Sequence, residues 1–170
     1  RPADRTGPAP AARRATGRAN IITFTNAYHG LTAGALSVTA GESYRNEAYV
    51  NRHNVAFMPY DGYLGKDVNT IEYLARCLED RSSGIDLPAA VILETVQAEG
   101  GINVASINWL SELEALCRKH EILLIVDDIQ VGCGRTGPFF SFERAGIQPD
   151  LITLSKSISG YGLPMALLLI

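Results

Sequence analysis

Asp127 and Lys156 are the two residues whose types and setting could do chemistry. Asp127 follows the apolar run Ile122-Leu-Leu-Ile-Val126. Lys156, 29 residues further on, follows Leu151-Ile-Thr-Leu154 and Ser155. An amine that loses its proton adds to a carbonyl carbon, and a fixed carboxylate stabilises a cationic ring nitrogen. Freed again, the same amine carries a proton between two substrate carbons as base and then as acid. Each residue also has a bland reading. An Asp127-Asp128 pair at a strand end is commonly a solvated turn, a carboxylate pair also suits magnesium, and a lone lysine is usually a surface residue.

The elements around them decide whether the two groups meet. Ile21-Ile-Thr-Phe24, Val55-Ala-Phe-Met58, Ala89-Ala-Val-Ile-Leu93, Ile122–Val126, Leu151–Leu154 and Met165–Ile170 read as strands. The longer runs are continuously apolar, the mark of strands buried on both faces. Between them, Asn69 to Asp80 carries apolar residues at helical spacing, with Asn69 and Glu72 placed as a capping box. Ser106 to His120 is a second helix, burying Trp109, Leu110, Leu113, Leu116 and Cys117. This alternation predicts an α/β fold, a mostly parallel sheet with helices on both faces. Ligands bind such sheets at the carboxyl ends of the strands, where Glu94, Asp127 and Lys156 all fall.

Composition narrows the class. The chain has 170 residues, 46% of them hydrophobic and 19% charged, with a net charge of −3. That is enough apolar material for one core, and lean enough in charge to expect other protein over part of the surface. Nucleic acid and anionic membrane are poor partners for this charge, no run is long enough to span a bilayer, and no signal peptide opens the chain. Cys77, Cys117 and Cys133 are odd in number and widely spaced, which disfavours a disulfide framework or zinc site and fits a reducing cytoplasm. The missing initiator Met and the apolar end at Ile170 lead us to expect an internal piece of a longer protein.

Gly132-Cys-Gly-Arg-Thr-Gly137 matches G-x-G-x-x-G, but no helix opens directly after the strand, so a dinucleotide site is not expected. Its glycines suit a tight turn near a ligand. Ser155, Ser157, Ser159, Gly160 and Gly162 flank Lys156, and such a turn admits a planar ligand. Partial burial there is expected to favour the neutral amine. Tyr28 offers a stacking ring. His29 is most simply a structural hydrogen-bonder, and Glu94-Thr-Val-Gln-Ala-Glu99 a polar loop. The acid and amine together suit pyridoxal 5′-phosphate, whose aldehyde the lysine would hold as a Schiff base.

These residues together resemble the class III aminotransferases, which are pyridoxal-phosphate enzymes of fold type I. The class pattern runs aromatic-His-Gly, E-P-x-Q-x-E-x-G, D-E-x-Q-x-G-x-G-R-T-G, then the Schiff-base lysine. All four occur here in order between Asn20 and Ile170. Thr95, Asp128 and Cys133 stand where most of the class has Pro, Glu and Phe. That departure is shared by the branch making 2,4-diaminobutyrate from aspartate 4-semialdehyde and glutamate for ectoine. Sister activities on acetylornithine or 4-aminobutyrate, or an inactive truncated product, are the alternatives.

The resemblance implies roles. Lys156 and Asp127 would be catalytic. Tyr28, His29, Glu94 and Gln130 would join them around the cofactor: Tyr28 on the ring face, Gln130 near the phenolic oxygen, Glu94 supporting the cluster. Glu99 would meet substrate through an arginine beyond this stretch. Residues 20–170 would form part of a large domain, and residues 1–19 an irregular segment or a helix remnant. The phosphate-binding segment expected just before Ala12 has no counterpart in Arg1–Pro10. A small domain would lie outside the chain. A homo-oligomer with sites built from two subunits, acting on small amino and oxo acids and holding no metal, would complete the enzyme.

Overall fold

The computed structural model describes residues 7–45, 53–160 and 162–170. Six strands form one sheet in the order β2 (Val55–Met58), β1 (Ile21–Phe24), β3 (Ala90–Leu93), β6 (Leu123–Asp127), β7 (Leu151–Leu154) and β8 (Leu167–Leu169). The first five run parallel, and β8 pairs antiparallel with β7. The fold is therefore α/β with a mostly parallel sheet, as the alternation of apolar runs implies.

Period-two alternation sorts side chains onto two faces. Ile22, Phe24, Val91, Leu93, Leu124 and Val126 belong to one apolar cluster with helices α3 (Thr70–Glu79) and α4 (Ile107–Lys119). Ile21, Ala90, Ile92 and Ile125 belong to a second, beneath α1 (Pro8–Thr16). Helices cover both faces, and Asp127, two residues past Ile125, falls on the α1 side. The first core is rich in rings: Trp109 lies 5.0 Å from both Phe24 and Tyr60, and its indole N–H donates to the Thr70 hydroxyl at 2.7 Å.

Helix α1 lies in the stretch whose sequence left irregular chain and helix remnant both open. Its face toward the sheet is made of Ala9 and Ala12, too small to give a strong apolar period. Pro8 in the first turn and a left-handed Gly17 at its end, whose amide donates to Arg13 O, fix its limits instead. The part of Arg1–Pro10 before Gly7 lies outside the described residues, as does Tyr161 of the lysine turn. Three further elements carry no clear sequence signal: α2 (Ala33–Ser37) and the two-residue strands β4 (Val96–Gln97) and β5 (Asn103–Val104), which pair antiparallel.

Asn69 caps α3, its side-chain oxygen accepting from the amides of Ile71 at 2.9 Å and Glu72 at 3.3 Å. Asn69→Ala leaves those amides without that acceptor and should cost about 1 kcal/mol in a urea melt. Ser106 caps α4 in the same way, through the Trp109 amide. No helix among the described residues is long and apolar enough to cross a membrane.

Candidate active site

The carboxyl ends of β1, β3, β6 and β7 bring most of the predicted residues together. Asp127, at the end of β6, is 6% exposed. Its Oδ1 accepts from the Thr153 hydroxyl at 3.1 Å and the Ile129 amide at 3.2 Å. Its Oδ2 accepts from His29 Nδ1 at 2.8 Å. Thr153 sits directly across from Asp127 in the β6–β7 register.

The proton on His29 can be followed through its neighbours. The Thr23 hydroxyl donates to Val38 O at 3.0 Å, so its 3.4 Å contact with His29 Nε2 requires the ring nitrogen to donate. With Nδ1–H on Asp127, the imidazole carries both protons. Burial works against that charge, but the hydrogen bond to Asp127 and the charges of Asp127 and Glu94 outweigh it and hold His29 above its ordinary value. The Thr39 hydroxyl accepts from the His29 amide at 3.0 Å.

Glu94 follows β3 and is buried. Its carboxylate accepts from the Tyr28 amide at 2.9 Å. Burial pushes it up to about 7, against the pull of His29 and that amide, and the nearby Asp127 and Glu99 add to the rise. Folded, Glu94 stays protonated from about pH 4.5, where it ionises in the unfolded chain, to about 7. Stability is therefore lost as pH rises through that window. Glu94→Gln cannot ionise. It should match the native protein near pH 4 and exceed it near pH 8, by up to about 3 kcal/mol in denaturant melts at about 1.4 kcal/mol per unit.

Gln130 and Glu99 meet beside these groups, Gln130 Nε2 donating to Glu99 Oε1 at 3.0 Å, and neither lines the cavity described below. The Glu99 loop is held from below. Gln97 Nε2 donates to Thr25 O at 2.8 Å, and a Cβ on Gly100 would stand 2.3 Å from Asn26 O, so only glycine lets the loop lie that close. The Tyr28 ring is half-buried and packs 5.0 Å from Tyr44, an aromatic partner outside every sequence motif. Thr23, Thr39 and Thr153 are likewise absent from the motif reading. For Thr153 the signal was a polar residue inside an apolar strand beside the acid.

A cavity of about 770 Å³ opens on the α1 side of the sheet. Its wall includes His29, Asp127, Ile92, Thr153 and Ser155, with the start of α1 and the turn Gly30–Ala35 opposite. Lys156 is not on that wall. It is exposed, at the start of a short 3₁₀ helix (Lys156–Ser159), one residue beyond the cavity-lining Ser155. The expected partial burial is thus not met, because the lysine turn lies past the sheet edge, where the described residues leave it open to solvent. Its φ of +50° lies in the left-handed region, a strain of about 1–2 kcal/mol for a non-glycine residue. Arg135 Nε donates to Ser157 Oγ at 2.9 Å and ties this turn to the Gly132–Gly137 loop.

The adjacent Asp128 points to the other face and binds Ser141, so the two acids of the pair serve different partners. They do not converge as carboxylates sharing one ion would. Among the described residues no group of three or more His, Cys, Asp or Glu is arranged to hold a metal.

The chain is similar to known proteins over most of its length. A Wolinella succinogenes protein named diaminobutyrate–2-oxoglutarate transaminase is 65% identical over 159 residues, covering 94% of this chain and 37% of its own length. Proteins of the same name from Bordetella parapertussis and Halomonas elongata are 63% and 58% identical, over 93% and 91% of this chain. The chain thus spans little more than a third of the length of these relatives. Among solved structures, an S-selective transaminase from Bacillus megaterium superposes with a TM-score of 0.82 at 28% identity, covering 95% of this chain and 39% of that one. The ornithine aminotransferase of Toxoplasma gondii gives 0.74 at 30% identity, over 89% of this chain and 33% of that one. The aminotransferase class-III family matches residues 9–170, and this chain belongs to that family.

Proposed function

We propose that this chain carries the chemical centre of an aminotransferase that moves an amino group from L-glutamate to aspartate 4-semialdehyde, giving L-2,4-diaminobutyrate and 2-oxoglutarate. The observation that carries the reading is Asp127, a buried carboxylate held by His29 and Thr153 on a cavity wall, beside the strand that leads to Lys156. The shared name of three relatives at 58–65% identity supports the substrate pair.

The donor set fits pyridoxal 5′-phosphate. The cavity volume lies within the range of small-ligand pockets. Asp127 offers the anionic partner a protonated ring nitrogen needs, and His29, charged and buried, keeps that carboxylate oriented. Tyr28 and Gln130 stand at the same strand ends. Bound there, the cofactor supplies an electron sink for the negative charge that develops on the substrate carbon.

The chain's own residues do the rest. Lys156 would supply the amine that holds the cofactor aldehyde and, when free, would move a proton between two substrate carbons. Ser155 and the glycine-rich turn bring the lysine to the cavity margin. Glu99, exposed and hydrogen-bonded to Gln130, would hold an arginine from outside this chain that admits glutamate.

We place the enzyme in ectoine biosynthesis, in the cytoplasm and as a homo-oligomer, with small amino and oxo acids as its partners. Incubating the full-length protein with both substrates and the cofactor should yield diaminobutyrate by chromatography. Transfer to acetylornithine or 4-aminobutyrate partners instead would move the reading to a sister activity. Failure to form a borohydride-stable cofactor adduct at Lys156 would mark the site as inactive.

A further inference from the structure

Three fully buried polar side chains form a chain of hydrogen bonds behind the two acids. Asp128, Thr95 and Ser141 are each 0% exposed. Asp128 accepts from the Ser141 amide at 3.1 Å and from the Ser141 hydroxyl. That hydroxyl has one proton and gives it to Asp128, so in its contact with Thr95 it accepts, and Thr95 donates. The segments joined are distant in sequence: the loop after β3, the loop after β6, and the short 3₁₀ helix Ser141–Ala145.

Two of the three sit beside a residue of the site. Thr95 follows Glu94, and Asp128 follows Asp127. The backbone around the chain is tied as well. Tyr60 OH donates to Glu94 O at 2.8 Å, Arg144 donates to Ala105 O at 2.6 Å, and the Asp128 amide donates to Thr153 O at 3.0 Å. A Cβ on Gly132 would stand 2.5 Å from Asp128 Oδ2, so the glycine loop is seated against the same carboxylate. We propose that Thr95, Ser141 and Asp128 form a buried brace that positions Glu94 and Asp127 at neighbouring strand ends, holding the Asp127 carboxylate on His29. None of the three lines the cavity, so all are positioning residues.

The direct readout is the His29 imidazole, which faces Asp127 and Glu94 and packs on Thr23. It is followed by NMR with labelled histidine in the full-length protein freed of cofactor, and assigned with His29→Gln. That measurement does not depend on which amino acid the enzyme accepts, nor on Lys156. Ser141→Ala removes the central hydroxyl. It should lower the His29 midpoint by about half a unit or more, as the Asp127 contact loosens. Cofactor affinity should fall roughly ten-fold, the lower end of the range seen when an outer partner of a ligand-holding group is lost. Thr95→Val should shift the midpoint the same way to a smaller extent, and Thr95→Ser, which keeps the hydroxyl, should restore it. If Ser141→Ala does not fold, the Thr95 pair decides alone. A His29 midpoint that stays at the native value in a folded Ser141→Ala or Thr95→Val protein would show a purely structural network and overturn the proposal.

Discussion

Lys156→Ala in the full-length enzyme should abolish the visible absorbance that survives gel filtration and lower amino transfer by roughly 10³–10⁴-fold. The magnitude is the upper part of the range for a lost proton-transfer group, because one amine performs both the tether and the proton transfer. With both proteins freed of cofactor, stability should hardly change. Lys156 is exposed, and surface substitutions usually stay within about 0.5 kcal/mol. That separation is the useful part of the experiment, since a fall in activity with an unchanged melting temperature assigns the loss to chemistry. Lys156→Arg should not rescue, because the guanidinium stays protonated and is no nucleophile. Retained absorbance and transfer in Lys156→Ala would remove the lysine from the mechanism.

Asp127→Asn should cost about 10²–10³ in kcat, the usual effect of removing one fixed electrostatic partner from the place where charge develops. The amide keeps the shape and can still accept from Thr153 and Ile129, so the loss reports charge rather than cavity. A second effect follows on His29. With the anion gone, burial acts on the imidazole with only Glu94 opposing it, and its titration should move below the ordinary histidine value. A His29⁺ pair stabilises the fold below the unfolded pKa and is lost as pH rises through the raised folded value. The native protein should therefore lose this contribution as pH rises past the ordinary histidine value, while Asp127→Asn should show no such loss in pH-dependent melts. An unchanged kcat together with a normal His29 titration would remove Asp127 from the site.

Glu94 and Asp127 show how far position alone can be read. Both follow apolar runs, and in a parallel sheet that places them at one edge whatever the details of packing. Strands β3 and β6 were legible because a run buried on both faces must be apolar throughout, and β1, β2 and β7 as short, mostly apolar runs rich in β-branched and aromatic residues. Helices α3 and α4 were legible because their 3.6-residue period and, for α3, the Asn69 cap are local signals. Helix α1 was not, because its buried face is alanine. The hairpin β4–β5 was not, because two-residue strands leave no period to detect.

The site divides along the same line. Sequence by itself determined the parallel α/β layout, the residues at the strand ends and, through four ordered motifs, the class III family. Only tertiary structure decided that His29 and Asp127, 98 residues apart, share a hydrogen bond, that Asp128 turns away to Ser141, and that Lys156 stands exposed beside the cavity rather than on its wall. The reason is physical: apolar period, caps and turn residues act between neighbours in the chain. Burial, charge pairing and proton position depend on which distant segments pack together.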